Sequence, residues 1–187
     1  MAPRLVILDR DGVINHDSDE FIKTPAEWLP IDGSIEAIAR LSSAGFTVAV
    51  ATNQSGIGRK LLDKPALNAM HDRLRALVKD AGGDLDRIVY CPHHPDDGCE
   101  CRKPAPGLYK QLSRQYGVPL DGVPIVGDSE RDLEAARAVN ARPILVLTGK
   151  GSKTAADLQQ RGDSVETFAD LDAAATQLIA ETRKQAS

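Results

Sequence analysis

The chain has 187 residues, 42% hydrophobic, 27% charged and 4% aromatic, enough to bury a hydrophobic core within a single domain spanning residues 1–187. Its 23 Lys and Arg against 27 Asp and Glu leave a formal charge of −4, which offers no general attraction to polyanions and argues against nucleic-acid binding. Three cysteines, few and odd in number, exclude a disulfide scaffold, and no apolar run approaches the roughly 18 residues of a membrane span.

Met1-Ala2-Pro3-Arg4 and the four apolar residues after them lack the apolar core of a leader peptide, so the expectation is a cytoplasmic protein. The first strand is expected at Leu5–Leu8, followed by a helix whose apolar face is Ile35, Ile38, Ala39 and Leu41 and which stops at Gly45. A second strand is predicted at Phe46–Ala51, then a helix carrying Leu67, Met70, Leu74 and Leu77 and ending near Gly82 and Gly83. Arg87–Tyr90 reads as a third strand, and Leu108, Leu112 and Gln115 as a helix closed by Gly117. A strand at Pro124–Val126, a helix through Leu133, Ala136 and Val139, a strand at Pro143–Leu147, a weak one at Val165–Phe168 and an alanine-rich helix at Leu171–Ala180 complete the chain. β-Branched runs without polar alternation suit strands covered on both faces. Strands alternating with helices predict an α/β fold, a Rossmann-like three-layer sandwich around a mostly parallel sheet.

Asp9, Thr52 and Asp128 each fall at the C-terminal end of a predicted strand, where open parallel sheets bind their ligands. In Leu8-Asp9-Arg10-Asp11-Gly12, two carboxylates project together at a sharp turn and need a cation or proton between them. Asp128 in Gly127-Asp128-Ser129-Glu130-Arg131-Asp132 adds a third to this donor set for a hard cation such as Mg²⁺, and Asp132 stands one turn further on. Thr52-Asn53-Gln54-Ser55-Gly56 offers a hydroxyl, amides and a glycine-rich backbone for phosphate, and Arg102-Lys103-Pro104 offers a fork and a point charge. One Asp or Thr at a strand end is an ordinary turn residue; the four motifs in this order are not.

All three cysteines lie in Cys91-Pro92-His93-His94-Pro95-Asp96-Asp97-Gly98-Cys99-Glu100-Cys101. Three thiolates and one imidazole make a structural Zn²⁺ site of Cys91, Cys99, Cys101 and His93, with His94 as the alternative fourth ligand. Such a clip would hold the loop that ends in Arg102 and Lys103.

This ordered set resembles the motifs of the haloacid-dehalogenase superfamily of aspartyl phosphotransferases. The resemblance implies that Asp9 is the nucleophile and Asp11 the general acid and base. It implies that Thr52 and Lys103 bind the transferring phosphoryl group, and that Asp9, the backbone carbonyl of Asp11 and Asp128 hold Mg²⁺. Asn53, Gln54, Ser55 and Arg102 are the further candidate substrate contacts. With the zinc loop included, the chain resembles the D-glycero-D-manno-heptose-1,7-bisphosphate 7-phosphatases over nearly its whole length. That resemblance implies a small phosphosugar substrate and a place in the supply of activated heptose for lipopolysaccharide.

Histidinol-phosphate phosphatase, which shares the motifs and the zinc loop, is the alternative. A phosphotransferase or mutase, and a non-catalytic phosphosugar-binding module, are the readings from other classes. Val13 stands where the motif often has Thr, and Ser129 where some relatives have Lys. The short spans between Asn15 and Asp32 and between Thr52 and Lys103 leave no room for a large cap domain, so the loops at 17–30 and 91–103 are expected to rim an open cleft. Asp17, Ser18, Asp19 and Glu20 are read as an acidic loop able to meet sugar hydroxyls, and Arg59 and Lys60 as a solvated pair at a helix entry. No surplus apolar stripe marks an interface, which predicts a monomer.

Overall fold

The computed structural model describes residues 4–185. Met1, Ala2 and Pro3, part of the stretch read as lacking a leader peptide, lie outside them. Six strands form one sheet: β1 (Arg4–Leu8), β2 (Phe46–Asn53), β3 (Arg87–Cys91), β4 (Pro124–Gly127), β5 (Arg142–Val146) and β6 (Glu166–Phe168). Every pairing is parallel and the order is β3-β2-β1-β4-β5-β6. The helices are α1 (Ser34–Ser43), α2 (Ser55–Gly58), α3 (Lys64–Asp80), α4 (Gly107–Tyr116), α5 (Glu130–Arg137), α6 (Gly151–Gln160) and α7 (Leu171–Gln185). No described helix is long and apolar enough to cross a membrane.

Successive residues of a strand point to opposite faces, and both faces are apolar here. Val6, Leu8, Val48 and Val50 belong to one core with Ile38 and Leu41 of α1, Leu67 and Leu74 of α3 and Leu178 of α7. Leu5, Ile7, Ala49 and Ala51 face a second core with Leu108 and Leu112 of α4 and Ala135 and Ala136 of α5. Burying each Leu or Val in these layers stabilises the fold by about 1.5–3 kcal/mol. Val13 is fully buried in the first core.

The strand order reverses at β1, which lies between β2 and β4. A crevice therefore opens beyond the carboxyl ends of these three strands, at the switch point where such sheets bind ligands. Between β1 and α1 the chain makes only turns and isolated bridges, Asp11 with Asn15 and Asn15 with Pro30. Fully buried Trp28 anchors this loop, with the Arg73 guanidinium 5.7 Å from its ring centroid.

Three elements differ from expectation: α2 forms where Thr52–Gly56 was read as a turn, and β2 and α6 depart as follows. β2 continues to Asn53, so Thr52 sits inside the strand opposite Tyr90 rather than beyond its end. α6 was not anticipated: only Gly151, Thr154 and Leu158 of its ten residues are buried, too thin an apolar stripe to read in advance.

Candidate active site

Asp9 follows β1 directly. Its amide donates to the Val126 carbonyl at 2.8 Å, which locks the residue against β4. Its Oδ1 accepts from the Arg10 amide at 2.8 Å and lies 2.9 Å from the Lys103 ammonium. At Gly12 the chain turns with φ +85°, and a Cβ there would meet Asp128 Oδ2 at 2.1 Å, so this close passage requires glycine. Asp128 follows β4, with the Lys150 amide donating to its Oδ2 at 2.8 Å. Carboxylate oxygens of Asp9, Asp128 and Asp132 all lie within 4.8 Å of one another.

Lys103 is 2% exposed, and its Nζ donates to the Ala51 carbonyl at 2.9 Å and to Asp132 Oδ1 at 2.6 Å. Asp132 in turn accepts from the Ser129 hydroxyl at 2.6 Å and the Ser129 amide at 3.1 Å, through its Oδ2. Ser129 thus caps α5 and braces the lysine's partner. The sequence reading noted Asp132 but did not place it in the site, where the structure sets it against Lys103.

Asp11 is held by a different set. Arg10 Nη2 and Nε donate to its Oδ1 at 2.9 and 3.1 Å, Asn15 Nδ2 donates to the same oxygen at 2.9 Å, and Gln54 Nε2 donates to Oδ2 at 2.8 Å. Gln54 Nε2 also donates to Thr52 Oγ1 at 2.9 Å. Asn53 pairs with the backbone of Lys103 in both directions, each bond 3.0 Å long. The side chains of Asn53 and Gln54, expected on substrate, line the cleft and also brace Lys103, Asp11 and Thr52. Ser55 begins α2 and lines the cleft.

Charge at the site is unbalanced. Burial first, and Asp132 next, push the Asp9 carboxyl well above its usual range, with Lys103 only partly opposing. The same two causes lift Asp128 to about 7. Burial works against Asp132 too, but Lys103 and Ser129 outweigh it and hold that carboxyl low. Asp11 is also held low, because Arg10, Asn15 and Gln54 overcome its burial. The raised proton affinity of Asp9 and Asp128 marks carboxyl groups crowded beyond what Lys103 can neutralise, a demand that a bound cation meets in place of protons. An all-oxygen donor set with that demand fits Mg²⁺.

The cleft above these groups has a volume of about 250 Å³. Its exposed rim includes Asp17, Asp19, Arg59, Arg131 and Lys150, and half-buried Arg102 lies in its wall. Arg59 is exposed, as read from sequence, and it also lines the cleft, with its guanidinium 5.6 Å from the Phe21 ring centroid. Lys60 stays exposed. Burial lowers the Arg102 pKa first, and the charges of Arg131 and Arg59 add to it, so the three guanidinium groups share one field.

The cysteine loop forms a second centre. Cys91 Sγ lies 3.6 Å from Cys99 Sγ, Cys99 3.6 Å from Cys101, and His93 Nδ1 3.5 Å from Cys91 and 3.2 Å from Cys101. A tetrahedral Zn²⁺ with bonds of about 2.3 Å to sulfur spaces its ligands about 3.7 Å apart, so the four groups fit that ion. His94 takes another part: its ring accepts from the Asp96 amide at 3.3 Å while its own amide donates to Asp97 Oδ2 at 2.8 Å, capping the 3₁₀ turn Pro95–Asp97. A Cβ on Gly58 would meet the His94 nitrogen at 2.4 Å, so α2 and this loop touch through backbone.

A parallel sheet with a paired aspartate at its switch point, a third after β4 and a buried lysine between them defines a haloacid-dehalogenase-like phosphomonoester hydrolase. A family model described as "HAD-hyrolase-like" matches residues 100–174. The D-glycero-beta-D-manno-heptose-1,7-bisphosphate 7-phosphatase of Pseudomonas aeruginosa is 59% identical over 179 residues, covering 96% of this chain and 99% of its own. The same enzyme from Pseudomonas putida is 57% identical, covering 94% and 99%. The D,D-heptose 1,7-bisphosphate phosphatase of B. bronchiseptica, solved with magnesium and phosphate, superposes with a TM-score of 0.90 at 52% identity over 95% of this chain and 99% of that one. The chain belongs to the D-glycero-β-D-manno-heptose-1,7-bisphosphate 7-phosphatase family.

Proposed function

We propose that the chain removes the 7-phosphate of D-glycero-D-manno-heptose 1,7-bisphosphate through an aspartyl-phosphate on Asp9. In this reading it works as a monomeric single domain in the cytoplasm and supplies activated heptose for lipopolysaccharide. An Asp9 oxygen bonds to phosphorus as the ester oxygen leaves with a proton from Asp11. Water then attacks phosphorus and gives its proton to Asp11, releasing phosphate and restoring Asp9. Thr52 Oγ1 and Lys103 Nζ hold the phosphoryl oxygens and carry the charge of the transition state. Mg²⁺, held by Asp9, Asp128 and the carbonyl of Asp11, would screen the nucleophile from the phosphate's charge. Arg10, Asn15 and Gln54 keep Asp11 ionised in the resting site; an arriving phosphate dianion raises its proton affinity, and Asp11 takes up from water the proton that it then gives to the leaving oxygen.

The observation that carries the substrate class is the distribution of cations. Lys103 serves the phosphoryl group in the floor, and Arg59, Arg102 and Arg131 form a second positive group in the wall and rim. Arg102 Nη1 is buried and has no hydrogen-bond partner. A donor of this kind suits the remaining phosphate of a bisphosphate, whereas histidinol phosphate would bring its own ammonium toward three guanidinium groups. Phosphate release with Mg²⁺ should show a kcat/KM at least about 100-fold higher for the heptose bisphosphate than for histidinol phosphate, about 2.7 kcal/mol of transition-state binding. The reverse preference would overturn the pathway and leave the chemistry. Asp9→Asn should abolish turnover while the protein stays folded, and substantial residual activity would sink the covalent route.

A further inference from the structure

α3 carries one histidine into the interior. His71 is 4% exposed, on the helix face of Leu67, Met70 and Leu74, and its ring is tilted 57° against Tyr90 with centroids 5.9 Å apart. Its Nε2 lies 3.3 Å from Nη1 of Arg10, a residue itself 1% exposed. Arg10 spends Nε and Nη2 on Asp11, so His71 meets the one guanidinium nitrogen that Asp11 does not. A guanidinium only donates, and Nε2 must therefore accept, which puts the ring proton on Nδ1. Burial first, and Arg10 second, lower the His71 pKa to about 3, in keeping with a neutral ring.

The choice of histidine has a physical logic. A buried guanidinium nitrogen needs an acceptor, because leaving it bare costs about 1–3 kcal/mol or more. A carboxylate at this place would satisfy it but would compete with Asp11 for the arginine's charge. A neutral imidazole completes the hydrogen bonding and leaves the full charge directed at Asp11.

We propose that His71 is a positioning residue for phosphoryl transfer: by accepting from Arg10 Nη1 it fixes the guanidinium plane, and that plane aims the Asp11 carboxyl at the leaving oxygen and then at the attacking water. This rests on Asp11 being the general acid and base. General acid–base catalysis contributes about 10²–10⁴-fold, so misaiming Asp11 forfeits part of that factor.

The test compares His71→Phe, which keeps the ring volume without an acceptor, with His71→Gln, which packs less well but keeps one. Each variant is assayed for kcat/KM on the better of the two alkyl phosphates above and on p-nitrophenyl phosphate, whose leaving group departs without a proton. His71→Phe should lose about tenfold or more in kcat/KM on the alkyl phosphate and about threefold or less on the aryl phosphate, because kcat/KM runs only to the aspartyl-phosphate and leaves out the water step that both substrates share. His71→Gln should recover most of that loss. A His71→Phe enzyme that matches the parent, falls equally on both substrates, or outperforms His71→Gln would reduce His71 to packing and overturn the proposal. The alkyl-to-aryl ratio is internal to each folded protein, so His71→Leu supplies the same test if the phenylalanine variant fails to fold. Asp11→Asn separates the two readings: alkyl-phosphate turnover surviving that change removes the general acid itself. An inactive Asp11→Asn beside a normal His71→Phe removes only the role of His71.

Discussion

The Lys103 ammonium lies 2.6 Å from Asp132 Oδ1, and both side chains are only 2% exposed. With Asp9 at 2.9 Å and the Ala51 carbonyl at 2.9 Å, the lysine has a partner for each of its three protons before any ligand arrives. Asp132 keeps the ammonium from collapsing fully onto Asp9, where it would neutralise the nucleophile. Burial opposes a charge on Lys103, but Asp132 and then Asp9 hold its pKa above the ordinary lysine value.

Asp132→Asn should therefore impair both folding and chemistry. Removing one member of a buried pair costs about 3–5 kcal/mol, and the remaining Asp9 contact puts this case at the low end. Urea unfolding measures that loss. Turnover should drop about tenfold or more, because Lys103 then serves Asp9 at the expense of the phosphoryl group. A variant of parental stability and rate would show that the pair is dispensable.

The sheet and the charged centre were legible in the sequence because each depends on local pattern. Runs such as Phe46–Ala51 are apolar on both faces, and Asp9, Thr52, Lys103 and Asp128 are residue types the chemistry requires. What escaped notice depends on contacts between distant segments. No spacing announces that Asn53 pairs with the backbone of Lys103, that Gln54 holds Asp11, or that His71 meets Arg10. Arg59 is exposed as expected, but its place beside Phe21 at the cleft could not be read in advance, since only the folded loop brings them together. Short α6, with few buried residues, shows the limit of periodicity itself.

The cysteine loop should hold about one Zn²⁺ per chain by elemental analysis. Arg102 and Lys103 follow Cys101 directly, so loosening the clip frees the cation that faces the substrate while Asn53 still ties Lys103 to β2. Cys99→Ser should consequently raise KM more than it lowers kcat and should expose the segment 92–100 to proteolysis. A metal-free protein with full activity would refute the clip.

Arg142 links β5 to β6 and α7 through Glu166 at 2.7 Å and Glu181 at 2.7 Å. Its hydrogen bonds hold the Glu181 carboxyl down at about 2, against an ordinary 4.5. Because the folded-state value is the lower one, the pair's contribution is fully present above pH 4.5 and is lost as the pH falls toward 2. Glu181→Gln should be less stable than the parent at pH 7 by at most about 1 kcal/mol, since the pair is partly exposed. Urea titrations at descending pH should show the two proteins converging, and a gap that widens in acid would contradict this account.

Arg102 provides the sharpest test of the rim. Its Nη1 is buried without a partner, a costly state that a phosphate oxygen would relieve. Hydrogen bonds to charged groups contribute about 1.5–3 kcal/mol, so Arg102→Ala should raise KM for the bisphosphate about 10- to 100-fold. Lys103 and Asp9 stay in place, and kcat should change only a few-fold. Arg102→Lys should restore charge but not the planar fork, giving an intermediate KM. A monophosphate of the same sugar, lacking the second anion, should be nearly indifferent to both changes. Equal losses on the bisphosphate and the monophosphate would place Arg102 on the transferring phosphoryl group instead, and the second phosphate would then fall to Arg59 and Arg131.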